Sequence, residues 1–168
     1  MVVQPQGRVD RDGSGRRTRF EDIEVGAELG SLEWSVQPEN VAGLLDNDAD
    51  YHEWYVDSSP FGGAIVPPLA TYPPVRLLFT RSYNVRGLFI EFESEFRRPF
   101  FFGERLTISG RVADKFIKRD REYVIYEAEG RDEKGEIVFT TRRTHVLDYL
   151  TRSVPKNAEG IDSGIVTN

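Results

Sequence analysis

Cysteine is absent from this 168-residue chain, and histidine occurs only twice. The first absence removes disulfides, thiolate zinc sites and a cysteine nucleophile together, and it fits a reducing compartment. Two histidines leave little material for a Ser-His-Asp arrangement, and neither a glycine-rich phosphate loop nor a nucleotide fingerprint is present. No run of about 18 apolar residues occurs, and the polar N-terminal stretch holds no apolar segment of signal length, so the reading is a cytoplasmic protein with no membrane partner. Basic charge is in deficit, with 22 Lys and Arg against 28 Asp and Glu for a net charge of −6. Such a surface repels phosphate backbones and anionic lipid, which excludes nucleic acid as an expected partner.

What is present fits one domain of ordinary size, able to bury a core without metal or disulfide staples. Residues 1–18 read as a flexible lead-in, 19–149 as the single domain and 150–168 as a flexible tail without periodicity. Phe20 to Leu29 reads as an irregular arm turning at Gly26. Leu32 to Val36 alternates around Trp34 as a first strand. Pro38 and Glu39 suit the first turn of a short helix carrying Val41, Leu44 and Leu45. Between Pro67 and Tyr83, Leu69, Tyr72, Leu77, Leu78 and Phe79 recur at helical intervals. This predicts a buried helix that Pro73 and Pro74 kink, or break and restart.

From Gly87 onward the pattern is β. Strands are expected over Leu88–Phe96, over Leu106–Phe116 with a bulge at Gly110, around Tyr123–Ala128, and over Ile137–Leu147. The turns fall at Lys118–Arg121 and Asp132–Gly135. A four- or five-stranded antiparallel meander whose apolar face wraps around one helix gives an α+β fold.

The chemistry concentrates in Asp50-Tyr51-His52-Glu53-Trp54-Tyr55-Val56-Asp57 and the Gly-Gly stretch that follows. Three acids, an imidazole and two phenols lie within eight residues, the composition of a loop that holds a site. Asp46, Asp48, Asp50 and Asp57 also fall at calcium-loop spacing, but Tyr51 stands where that loop needs glycine, so no metal is expected. Arg16-Arg17, Arg97-Arg98 and Arg142-Arg143 are basic pairs, most simply solvated strand faces, which can also hold a pyrophosphate or carboxylate.

The order of elements, the Asp50–Asp57 octet, Gly63-Ala64-Ile65-Val66-Pro67-Pro68 and Arg98-Pro99 running to Gly103-Glu104 together resemble the MaoC-like hydratase and dehydratase family of the hotdog fold. The resemblance spans roughly residues 20 to 149. It implies an antiparallel sheet wrapped around a central, here proline-interrupted, helix. It also implies water addition to, or removal from, an acyl thioester on coenzyme A or a carrier protein, with no other cofactor. In the family an Asp and a His orient the water. By position Asp50 matches the Asp, Tyr55 stands in the place of the His, and His52 is a possible substitute. A phenol with an ordinary pKa near 10 donates a proton more readily than it accepts one at neutrality. The resemblance also implies that a backbone amide at the start of the central helix polarises the thioester carbonyl. Pro67 and Pro68 have no amide, so Gly63, Ile65, Leu69 or Ala70 must supply it, with Gly62 forming the turn. Arg98 is the candidate contact for the carrier's phosphates. A homodimer is expected, with a second hotdog subunit as the alternative. The competing readings are an inactive partner subunit and a cleft turned to cyclisation or isomerisation.

Overall fold

A computed structural model of the chain describes residues 17–147. The expected lead-in, apart from its last two residues, the last two residues of the expected domain and the whole of the expected tail lie outside that range. Thr18 is already fixed: its N–H donates to Asn84 O at 3.0 Å, and Asn84 N–H returns a bond to Thr18 Oγ1 at 2.9 Å. Among the described residues no helix is long and apolar enough to cross a membrane.

Five antiparallel strands, β1 (Glu28–Ser35), β2 (Gly87–Phe96), β3 (Arg105–Lys118), β4 (Arg121–Arg131) and β5 (Ile137–Leu147), form one sheet in the order β1-β3-β4-β5-β2. Helices α1 (Pro38–Asp48), α2 (Glu53–Val56) and α3 (Tyr72–Ser82) all precede β2 in the chain, with a 3₁₀ turn over Pro68–Thr71 leading into α3. The expected meander is correct for β3, β4 and β5 only. β2 crosses to the far edge and pairs with β5 from Gly87↔Leu147 to Phe96↔Phe139. Alternation specifies which face of a strand is buried, not which neighbour it takes.

The turn between β3 and β4 places Arg119 and Asp120 at φ 51° and 55°. Two successive left-handed residues match the right-handed twist of the flanking strands. Leu106, Ile108 and Val112 of β3 and Val124, Tyr126 and Ala128 of β4 face one core, as their alternation requires. The bulge expected at Gly110 lies instead between Val112 and Asp114, at Ala113. Gly110 has another cause: a Cβ there would stand 2.6 Å from Glu127 O, 3.2 Å from Ala128 Cβ and 3.4 Å from Leu78 Cδ1, so glycine lets strand and helix close on each other.

The double proline breaks the central segment rather than bending it. Pro73 and Pro74 occupy the first turn of α3, where missing N–H groups have no helical partner to lose. The 3₁₀ turn before them ends as Tyr72 N–H bonds Leu69 O. Pro74, Val75, Leu78 and Phe79 form the buried face of α3. Leu69 and Leu77, expected inside, are 40% and 46% exposed. The backbone of α3 lies nearest β1 and β3, and its Phe79 ring reaches Tyr126 of β4 and His145 of β5.

Candidate active site

α1 ends by turning the chain sharply. Ala49 adopts φ 50°, its N–H bonds Asp46 O, and Asp50 N–H reaches back five residues to Leu45 O at 3.1 Å. This left-handed stop, unusual for a residue with a Cβ, starts the acidic loop at Asp50. Because α1 runs through Asp48, two of the acids at calcium-loop spacing sit on a helix, and Asp46 accepts the Tyr51 hydroxyl at 2.5 Å.

The loop then winds into α2, and His52 is its cap. The Trp54 N–H donates to His52 Nδ1 at 3.2 Å, while His52 N–H points toward Asp50 Oδ1 at 3.4 Å. The Asp50 carboxylate thus meets the backbone of His52 rather than its ring, and Nδ1 is occupied as an acceptor. That contact leaves Nε2 as the protonated nitrogen of the neutral ring. Tyr55 behaves differently. Its ring is half-buried against the core, and burial raises the hydroxyl's pKa above the ordinary value, with the charge of Asp50 adding to the rise. Tyr55 thus stays protonated at neutrality beside a carboxylate. Asp50 and His52 are exposed.

The Gly-Gly stretch is tied directly to α2. Ile65 N–H donates to Trp54 O at 2.8 Å, and Trp54 meets Phe61 edge-on at 5.9 Å. Val66 N–H bonds Phe100 O at 2.9 Å, anchoring the same stretch to the loop before β3. Gly62 at φ 101° forms the turn, closed by its N–H to Ser59 O and by the Ser59 hydroxyl to Gly63 O at 2.5 Å. These bonds sort the four expected oxyanion donors. Ile65 donates to Trp54, and Ala70 N–H donates to Pro67 O at 2.9 Å. The N–H groups of Gly63 and Leu69 have no acceptor among the described residues. The Ile65–Trp54 bond sets the stretch that carries Gly63 against α2, the helix that carries Tyr55.

Arg98 does not wait for a phosphate. Its guanidinium donates to Glu104 at 2.5 and 3.2 Å, to Asp132 at 2.9 Å and to Pro99 O at 3.0 Å. Two carboxylates already balance it, and they hold the bend before β3 against the β4–β5 turn.

A buried polar group went unread in the sequence. Arg143 is 1% exposed, contrary to a solvated Arg142-Arg143 pair, and it faces the helix together with Tyr126 and His145. The signal was available: adjacent strand residues point to opposite faces, so one of the two arginines had to enter. Arg142 turns outward to Glu127.

No protein-family model matches the chain, and neither does any curated sequence. Solved structures do. The R-hydratase PhaJ1 from Pseudomonas aeruginosa superposes with a TM-score of 0.64 at 14% identity, covering 78% of this chain and 86% of the other. A MaoC-like dehydratase from Rhodospirillum rubrum gives 0.61 at 20% identity, over 79% and 97%. The 3R-hydroxyacyl-ACP dehydratase HadBC complex from Mycobacterium tuberculosis gives 0.59 at 15% identity, over 78% and 99%. The five-stranded antiparallel sheet with α3 packed across it is the hotdog fold that these hydratases and dehydratases share.

Proposed function

We propose that the chain is an acyl-thioester hydratase or dehydratase, acting on a 2-enoyl or 3-hydroxyacyl group carried by coenzyme A or by a carrier protein's phosphopantetheine. The observation that carries this reading is Tyr55, kept protonated in the field of Asp50, on a helix that the Ile65–Trp54 bond ties to the Gly-Gly stretch. In hydration the Asp50 carboxylate takes a proton from water as the oxygen bonds to C3. The electron pair of the double bond moves toward the thioester carbonyl, whose oxygen is met by the Gly63 and Leu69 amides. A proton from Tyr55 then completes C2, and proton return from Asp50 through solvent restores both groups. Dehydration runs the same steps backward. His52, as the α2 cap, positions Tyr55 by fixing the first turn of its helix.

The second protomer enters through exposed apolar surface. β2 is an edge strand with one side unpaired, and Leu88, Ile90 and Phe92 on it are 39%, 50% and 48% exposed. An open apolar edge of this kind pairs with another chain. A second copy is the default occupant, which makes the homodimer the expected assembly. A different hotdog chain is the alternative, favoured by the similarity to the HadBC complex.

The test uses the purified full chain with 2-enoyl and 3-hydroxyacyl thioesters of coenzyme A. Asp50→Asn and Tyr55→Phe are each expected to lower kcat by about 100-fold or more. Turnover that survives Asp50→Asn unchanged removes the carboxylate from the reaction. A wild-type chain that turns over nothing alone, yet gains activity with a second hotdog chain, establishes the partner-subunit reading instead.

A further inference from the structure

We propose that Arg143, Tyr126, His145 and Arg76 form a receptor for a carboxylate at the far end of the substrate's acyl chain. This rests on the acyl-thioester reading and narrows it to acids with a second carboxylate.

The starting point is a guanidinium in the wrong surroundings. Arg143 is 1% exposed and stands on β5 directly opposite Tyr126 of β4. Its Nη1 and Nη2 reach the carbonyls of Tyr72 and Thr71 at 2.9 and 3.3 Å, and its Nε–H has no partner. No carboxylate pairs with it among the described residues. Taking a cation out of water costs several kcal/mol unless an anion answers it. The chain has 28 acids and uses two of them on Arg98, a less buried arginine. The missing counter-charge at Arg143 is a property of this site, not of the sequence at large.

Two more buried groups lack partners beside it. Among the described residues neither the Tyr126 hydroxyl nor His145 Nδ1 has a partner at hydrogen-bond distance, although the hydroxyl lies close enough to the Arg143 guanidinium to interact with it, and their residues are 0% and 8% exposed. Both rings pack on Phe79, at 4.5 and 5.3 Å between centroids, and on each other at 5.5 Å. Buried polar atoms in native proteins almost always have partners, so unsatisfied ones gathered around one buried guanidinium point to a group from outside the chain. Arg76, one turn before Thr80 on α3, adds a second guanidinium without a carboxylate, and its charge is felt at both Tyr126 and His145. A water satisfies the three atoms but leaves the buried charge of Arg143 unanswered. A carboxylate does both, and its two oxygens suit the donors of a guanidinium and a phenol.

The route to the site begins at the proposed reaction centre. Tyr72 and Phe89 lie over the Arg143 guanidinium at 5.0 and 5.9 Å, edge-on to each other at 5.1 Å, and both are only half-buried. Tyr72 follows Leu69, a proposed oxyanion donor, by three residues. An acyl chain held at Leu69 and running under the Tyr72 and Phe89 rings meets Arg143 within a short length.

The experiment compares a 2-enoyl thioester ending in a carboxylate with its methyl-ended analogue. The ratio of their kcat/KM values is expected to favour the carboxylate at least about 100-fold in the wild type and to fall about tenfold or more in Tyr126→Phe and in Arg76→Ala. Tyr126→Phe removes one oxygen with no partner, and Arg76 is exposed, so both variants keep the fold even where Arg143→Gln does not. A wild-type ratio near one, or a ratio that neither variant changes, overturns the proposal while leaving the hydratase reading intact. Should no thioester be turned over, binding decides. Succinate is expected to raise Tm in the wild type and not in either variant, whereas inorganic phosphate at equal ionic strength raises it in none. The absence of a succinate effect, or an equal effect from phosphate, overturns the proposal.

Discussion

Acid should loosen this fold through one imidazole. His145 sits among the rings of Phe79, Phe89 and Tyr126, with Arg143 on its own strand and Arg76 across from it on α3. Burial lowers its pKa from 6.5 to about 4, and the charges of Arg76 and Arg143 act in the same direction. The unfolded chain therefore binds a proton that the folded chain refuses between those two values. Stability is fully present above the unfolded pKa and is lost as pH falls toward about 4. Between about pH 7 and about pH 5 the loss amounts to about 2 kcal/mol, a large share of the 5–15 kcal/mol that holds an ordinary domain together. Urea unfolding reads this as a midpoint lower by roughly 1 M at the lower pH. His145→Phe, which keeps a ring among rings, should remove most of that difference. Asp132, whose carboxyl Arg98 and the Lys134 and Glu136 amides hold below the usual range, loses its contribution only at lower pH, so the windows separate. Equal midpoint shifts in the wild type and in His145→Phe refute the reasoning, as does an imidazole proton resonance of folded His145 titrating above about pH 6.

Gly110→Ala places a methyl 2.6 Å from the Glu127 carbonyl under α3 and should destabilise by about 1–3 kcal/mol, seen as a lower urea midpoint with unchanged slope. Arg98→Met leaves Glu104 and Asp132 without their shared cation at the β3 bend and should cost about 2 kcal/mol in the same assay, with thioester KM little changed; a large rise in KM would return Arg98 to the carrier's phosphates. His52→Ala removes the α2 cap, about 1 kcal/mol, and should lower kcat far less than Asp50→Asn does. Phe92→Asp on the open edge should yield a monomer by light scattering where the wild type is a dimer, and a monomeric wild type would discard the β2 edge as the homodimer interface.

The sheet was legible because alternation with period two survives any tertiary context that keeps one face dry. Ile137–Leu147 has the ends expected of it, and Val124, Tyr126 and Ala128 are inside as their positions require. The acidic loop was legible as a candidate from composition, and Pro73-Pro74 as a kink or a break from the lost donors. The roles within the site were less so. His52 looked like a base because it is a histidine near an aspartate, and only the backbone path shows its Nδ1 committed to Trp54. Arg98 looked free for phosphate because its partners, Glu104 and Asp132, are 6 and 34 residues away.

The sequence by itself determined the strands, α1 and a proline-interrupted central segment, though not the short helix α2, since these depend on residues a few positions apart. Only the tertiary structure decided that β2 lies beside β5, that the bulge falls at Ala113, and that Arg143 enters a pocket of rings without an acid to meet it. Those outcomes depend on distances between residues far apart in the chain. One turn of local pattern carries no information about them, because the same alternation is satisfied by any neighbour that covers the face.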